Sequence, residues 1–156
     1  MFHQKGLIGL LLILMLGSLG CYHEDSREEI INTITIDTDH VLYKYFETAF
    51  EGKKPVLTGT NDINNDGRED LIVIYQDTSD NNKMVAIWEE KGTVNISEPT
   101  PAPIENCRLE WKNIDDKEPI ELIVSGSKGV NVGYAIYRLE NGEFVSIFGD
   151  GMDECC

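Results

Sequence analysis

Positive charge is scarce in this chain: 13 Lys and Arg stand against 28 Asp and Glu in 156 residues, a formal net charge of −15. Such a balance is repelled by phosphate backbones and anionic lipid surfaces, and it attracts cations. No basic stripe breaks the acidic background, which argues against nucleic-acid binding. Catalytic signatures are missing too. There is no Ser-His-Asp ordering, P-loop or dinucleotide fingerprint. Histidine is rare, with His23 in a polar stretch and His40 at the start of a helical pattern, so neither reads as a ligand. The longest apolar run, Leu7 to Leu16, is interrupted by Gly9 and falls short of the ~20 residues that span a bilayer.

What that run does resemble in layout is an export signal. Lys5 precedes it, and Gly17, Ser18, Leu19 and Gly20 lead from it into Cys21. A basic start, a short apolar core and small residues before a cut are the elements of a secretory leader, expected over 1–20. Ser18-Leu19-Gly20-Cys21 resembles the lipobox of bacterial lipoproteins, although Ser18 stands where that box usually has Leu. The resemblance implies a diacylated Cys21 and an extracytoplasmic, membrane-anchored protein. Ordinary cleavage near Gly20 and an uncleaved anchor helix remain as alternatives. The rest of the chain is long enough for one domain with one core.

Residues 21–36 read as a polar tether. In the following stretch Val41, Leu42, Tyr45, Phe46, Ala49 and Phe50 recur at helical spacing. Asp37 or Thr38 is a suitable N-cap, and Gly52 followed by Pro55 stops the pattern. One amphipathic helix is expected there. The remainder reads as strands: Leu71 to Tyr75, Met84 to Trp88, Leu122 to Val124, Gly133 to Tyr137, and Glu143 to Phe148 beyond the Asn141-Gly142 turn. Trp88 and Trp111 are expected in the core. The proline-bearing Ser97 to Pro103 reads as a linker.

The two β-rich halves resemble each other. Displaced by 51 positions, Ile63, Asn64, Asp70, Leu71, Ile72 and Val73 fall on Ile114, Asp115, Glu121, Leu122, Ile123 and Val124. Displaced by 49, Ala86, Ile87 and Trp88 fall on Ala135, Ile136 and Tyr137. The expected architecture is therefore mainly β with one N-terminal amphipathic helix. Its two related β-meander units, at about 56–98 and 104–150, are of propeller-blade size. Because two blades cannot close a propeller, the helix is expected to cap an open apolar face. A single domain over 37–156 would hold both units.

Asp62, Asn64, Asp66 and Asp70 place side-chain oxygens at positions 1, 3, 5 and 9 of a loop, with Gly67 at position 6 and the Arg68 carbonyl at position 7. This spacing suits a hard cation of Ca²⁺ size. Position 12, a bidentate acid in helix–loop–helix calcium sites, is Val73 inside a strand. DINNDGREDLIVIY is similar instead to the loops of FG-GAP and VCBS integrin-like calcium repeats. That resemblance implies one structural Ca²⁺ held by Asp62, Asn64, Asp66 and Asp70 with the Arg68 carbonyl. The second unit has Lys117 and Glu118 where the first has Asp66 and Gly67, so one ion is expected.

Three thiols remain if Cys21 is acylated: Cys107, Cys155 and Cys156. Adjacent cysteines have Cα atoms ~3.8 Å apart, below the usual disulfide window, so a Cys155–Cys156 bond would be strained. A Cys107 bridge to one of the pair, thiol exchange and capture of a soft metal all stay open. The acidic neighbours Asp153 and Glu154 raise thiol pKa values, which suits a redox nucleophile poorly and draws in cations. Two thiolates fit Hg²⁺, and Cys107 would complete three for arsenic(III).

An exported chain ending in Cys-Cys resembles the Cys-Cys-COOH (seleno)protein family SaoC, associated with selenocysteine-assisted organometal metabolism. The resemblance implies organometal or heavy-metal handling alongside transport proteins and an organomercurial-lyase-like partner. The functional expectation is thus an exported lipoprotein, more binding or accessory protein than enzyme, that presents a mobile dithiol tail to a thiophilic metal. A calcium-dependent adhesion or protein-binding module and a thiol–disulfide redox protein are the alternatives.

Overall fold

The computed structural model describes residues 35–156, which belong to one compact unit. The leader, Cys21 and the tether up to residue 34 lie outside the described residues. Helix α1 (Tyr43–Ala49) is followed by nine strands and a short closing helix. The first sheet runs β1 (Lys54–Asn61), β2 (Asp70–Thr78), β3 (Asn81–Glu90) and β4 (Thr93–Ile96), with β5 (Thr100–Ala102) also pairing with β3. The second runs β6 (Glu105–Lys112), β7 (Glu121–Lys128), β8 (Asn131–Glu140) and β9 (Glu143–Asp150). All pairings are antiparallel, and within each four-strand path sequence neighbours are spatial neighbours. The protein is mainly β.

The near-continuous apolar run Leu71 to Tyr75 has a direct physical reason. Strand β2 is central and covered on both faces, so both of its alternating side-chain sets are buried. Ile72 and Ile74, with Met84, Ala86 and Trp88 of β3, meet Leu122, Val124, Ala135, Tyr137 and Leu139 of the second sheet. Leu71, Val73 and Tyr75, with Val85 and Ile87, face the other way and pack with Leu42, Tyr43 and Phe46. Phe46 and Phe50 each place their rings near Tyr75, at 5.5 and 4.9 Å. Helix α1 thus covers the outer face of the first sheet.

The helix is shorter than its apolar pattern implied, and its buried face is rotated. Tyr43 is inside, while Val41, Tyr45 and Ala49 are exposed. Asp37 Oδ1 accepts from the amides of Asp39 and His40, both at 3.1 Å, so it caps a turn ahead of the helix. The Ser97–Pro103 linker also proves more structured than expected. Thr100, Pro101 and Ala102 pair with Met84, Lys83 and Asn82, and Pro101 is tolerated because this strand lies at the sheet edge.

Backbone geometry repeats between the sheets. Asn65 and Asp116, 51 positions apart, both adopt φ near +60° (60° and 59°). The β3–β4 turn at Lys91-Gly92 has φ of 52° and 81°, and the β8–β9 turn at Asn141-Gly142 has 53° and 84°, as type I′ hairpins require. Leu71 pairs with Ile87, and Leu122 pairs with Tyr137. The displacement for β3 and β8 is therefore 50 in the structure, one more than the identity of side chains suggested.

The chain then turns at Gly151 into α2 (Met152–Cys155). This tail is docked, which corrects the expectation of a mobile dithiol. Cys155 has no exposed surface, and the Ile104 amide donates to its carbonyl at 3.2 Å. Two glycines allow the approach. A Cβ on Gly133 would lie 2.6 Å from Gly151 backbone atoms and 2.8 Å from Cys155 Sγ, and a Cβ on Gly151 would lie 2.5 Å from the Val132 carbonyl oxygen.

Candidate functional sites: a sulfur cluster and an acidic loop

Docking the tail against β8 gathers sulfur. Cys155 Sγ lies 3.6 Å from Cys156 Sγ and 3.8 Å from Met152 Sδ, and Cys156 Sγ lies 3.9 Å from the same thioether. Met152 and Cys155 are three apart and Met152 and Cys156 four apart, a spacing that places side chains together over one helical turn. Met152 is not among the residues the sequence reading names for this site, which are all thiols. Its i+3 and i+4 relation to the pair was the signal available. Cys155 is buried, whereas Cys156 reaches a surface cleft of about 440 Å³ that Asp77, Asn82, Lys83, Met152 and Asp153 also line.

All three described cysteines are free thiols. Burial, reinforced by the neighbouring Cys155 thiol, Cys107 and Asp153, pushes the Cys156 thiol up to about 12. Burial also raises Cys107, against partial relief from Asn82. Protonated, desolvated thiols are weak nucleophiles, so the electrostatics run against thiol exchange. Cys107 is buried and donates to the Pro103 carbonyl at 2.9 Å. Asn82 Nδ2 fixes that same carbonyl at 2.8 Å. Cys107 is near enough to interact electrostatically with the tail, but its thiol is engaged by the Pro103 carbonyl, and the third sulfur in contact with the pair is the Met152 thioether.

The second site lies where β1 feeds β2. Asp62 Oδ1 accepts from the Asp66 amide at 2.9 Å, and Asp62 Oδ2 accepts from the Gly67 amide at 2.8 Å. Asn64 Oδ1 accepts from Asp66 N at 2.9 Å, and Asp66 Oδ1 from Arg68 N at 3.0 Å. Asp70, at 1% exposure, accepts from the Ile63 amide at 3.0 Å. Desolvation, with Asp66 and Asp62 adding repulsion, raises its carboxyl to about 6. Arg68 turns outward and bridges Asp66 Oδ2 at 2.9 Å and Glu89 Oε1 at 2.8 Å. The loop is pre-curled by its own amides, with its buried carboxylate deepest.

The corresponding place in the second sheet explains what that carboxylate lacks. Glu121, also at 1% exposure, accepts from the Ile114 amide at 2.8 Å, again seven residues back. Here Arg138 reaches in from β8 and pairs with both Glu121 and Asp115, the latter at 2.7 Å. A guanidinium neutralises the second acidic pocket from within the chain. In the first, Asp70 accepts from backbone amides.

As they stand, the loop carboxylates are turned to amides and to Arg68. Among the described residues no three His, Cys, Asp or Glu side chains are grouped closely enough to hold a metal. The oxygen chemistry fits Ca²⁺, but Asp66 would have to exchange Arg68 for the ion. Among the described residues no helix is long and apolar enough to cross a membrane. The fold and sites define a class only: a two-sheet β-meander protein carrying a docked Met/Cys/Cys cluster. Comparison adds no family to that class, since no family model, curated protein or solved structure matches the chain.

Proposed function

We propose that this protein is an exported, lipid-anchored binding protein that captures a thiophilic heavy metal or organometal at Cys155 and Cys156. The observation that carries the reading is the pair of tail thiols 3.6 Å apart, on a helix seated against β8. A docked dithiol whose outer member, Cys156, is pushed toward its protonated form by burial is poorly suited to redox exchange. It gains from a soft cation that displaces its protons. The bound metal supplies only its affinity for sulfur. The chain's part is to fix the two sulfurs, bury one and open the other to the cleft.

In this reading Cys107 is a reserve thiol for a trigonal ligand such as arsenic(III), and the partners are transport or organomercurial-lyase-like proteins of the same route. The leader would place the protein outside the cytoplasm, anchored through Cys21. Replacing Cys21 with Ser is expected to move the protein from the membrane to the soluble fraction. Retention in the membrane would contradict that part. For the metal, anaerobic titration with Hg²⁺ should give one strong equivalent by thiolate–metal absorbance. The Cys155→Ser/Cys156→Ser double variant should lose it, and equal uptake by both forms would refute the assignment.

A second role is favoured by the contrast between Asp70 and Glu121. Where the second sheet uses Arg138, the first uses a structural Ca²⁺ bound by Asp62, Asn64, Asp66, Asp70 and the Arg68 carbonyl. The two sheets are then related, propeller-blade-like units, one closed by a guanidinium and the other by an ion. Binding to the folded state raises stability with free ligand. Melts in EDTA and in excess Ca²⁺ should therefore separate, and superimposed melts would eliminate the ion.

A further inference from the structure

Resting on the reading that the tail dithiol binds soft metals, we propose that Met152 is a third ligand and that the site selects a monovalent soft cation of the Cu(I) class. The three sulfurs form a nearly equilateral triangle with sides of 3.6, 3.8 and 3.9 Å. For a metal–sulfur bond of about 2.3 Å, two sulfurs in a linear complex would stand about 4.6 Å apart, whereas neighbours in a tetrahedral complex stand about 3.8 Å apart. The triangle has the dimensions of one face of a tetrahedral, or slightly flattened trigonal, sulfur site. Linear two-thiolate binding would require the pair to be spread.

Ligand type narrows the cation. A thioether is a neutral, soft donor that cannot be deprotonated, so it adds nothing for arsenic(III), whose bonds to sulfur each replace a thiol proton. Zinc sites are built from Cys, His and carboxylate groups, and no such set of three occurs among the described residues. Mixed thiolate and thioether ligation favours Cu(I). The setting is also built: Gly133 and Gly151 leave space for the tail where a Cβ would collide, Cys155 is sealed inside, and Met152 packs against the core. Cys156 faces the cleft and provides access. Binding is written Cu⁺ + two thiols + one thioether → the three-sulfur complex + 2 H⁺, with no change of oxidation state.

The test uses the full chain, reduced and kept anaerobic, with Cu(I) titrated against a bicinchoninate competitor and Hg²⁺ measured in parallel. Met152→Leu preserves volume and should leave the melting curve unchanged. It is expected to weaken Cu(I) binding by at least about tenfold and to change Hg²⁺ binding by less than about twofold. Independently of any variant, selenomethionine-labelled protein loaded with Cu(I) should show a selenium–copper path at bonding distance at the selenium absorption edge. Unchanged Cu(I) affinity in Met152→Leu, or no selenium–copper path, overturns Met152 as a ligand. Continued cysteine-dependent Hg²⁺ binding would then leave the dithiol reading standing. Failure of both metals to bind overturns both.

Discussion

Two carboxylates show how much a single residue's surroundings decide. Asp70 and Glu121 each accept from the amide seven residues back and are equally buried, yet among the described residues only Glu121 has a guanidinium. Folding raises the Asp70 carboxyl from 3.8 to about 6, which favours its protonated form. A raised folded value contributes stability that is present below the unfolded value and lost as pH rises through the folded one. Calcium-free protein should thus be destabilised between about pH 4 and 6, by at most ~3 kcal/mol at ~1.4 kcal/mol per unit. Asp70→Asn keeps the acceptor for the Ile63 amide and removes the charge. In EDTA it should raise the neutral melting temperature and flatten the profile across that window, and in Ca²⁺ it should gain less than the native chain. A parallel profile for the two proteins in EDTA would show that the carboxylate is not strained. The loop's residues were legible from spacing alone. The Arg138 counterpart was not, because it comes from a strand 17 residues beyond Glu121 and nothing local marks it.

At the scale of elements, the docked tail and the Arg138 crossover tie β8 to its surroundings. Gly133 is the floor beneath Cys155, with 2.8 Å from its hypothetical Cβ to the sulfur. Gly133→Ala should lift α2 off β8, cost roughly 1–3 kcal/mol as an overpacked contact, and speed thiol labelling of Cys155 in the native state. Native-state labelling at the original rate would mean that the tail is not seated there. Among the described residues, Arg138 is the side chain that pairs with both Glu121 and Asp115. Arg138→Met should cost ~3–5 kcal/mol by denaturant titration, because it strands a buried carboxylate. A loss below 1 kcal/mol would contradict the pairing. Strand cores such as Leu71 to Tyr75 and Met84 to Trp88 announced themselves in the sequence through β-rich apolar runs. Strands β1, β5 and β6 did not: Gly59, Pro101 and the polar Glu105, Asn106 and Arg108 dilute their patterns, and pairing in the sheet supplies what propensity lacks. The helix was legible, with Leu42 and Phe46 on its buried face as expected, but the spacing counted Tyr45 where the structure buries Tyr43 against Phe46 instead.

For the whole molecule, the chain forms two antiparallel sheets with matching turns, and the buried Asp70 of the first accepts from backbone amides where Glu121 of the second pairs with Arg138. The tail is where sequence reasoning was least complete. Adjacent cysteines drew attention to the last two positions, but a third sulfur and a floor of glycine emerge only once β8 and α2 are brought together. That assembly brings the sulfurs of Met152, Cys155 and Cys156 together, and metal capture there is the central proposal. The most direct measurement is native mass spectrometry of the reduced protein, mixed anaerobically with Hg²⁺, Cu(I), Zn²⁺ and Ca²⁺ and repeated on the Cys155→Ser/Cys156→Ser variant. One thiophilic ion should appear on the native chain with loss of two protons and be absent from the variant, while any Ca²⁺ adduct is retained by both. A native chain that carries no thiophilic ion, or a variant that carries as much, would contradict the account.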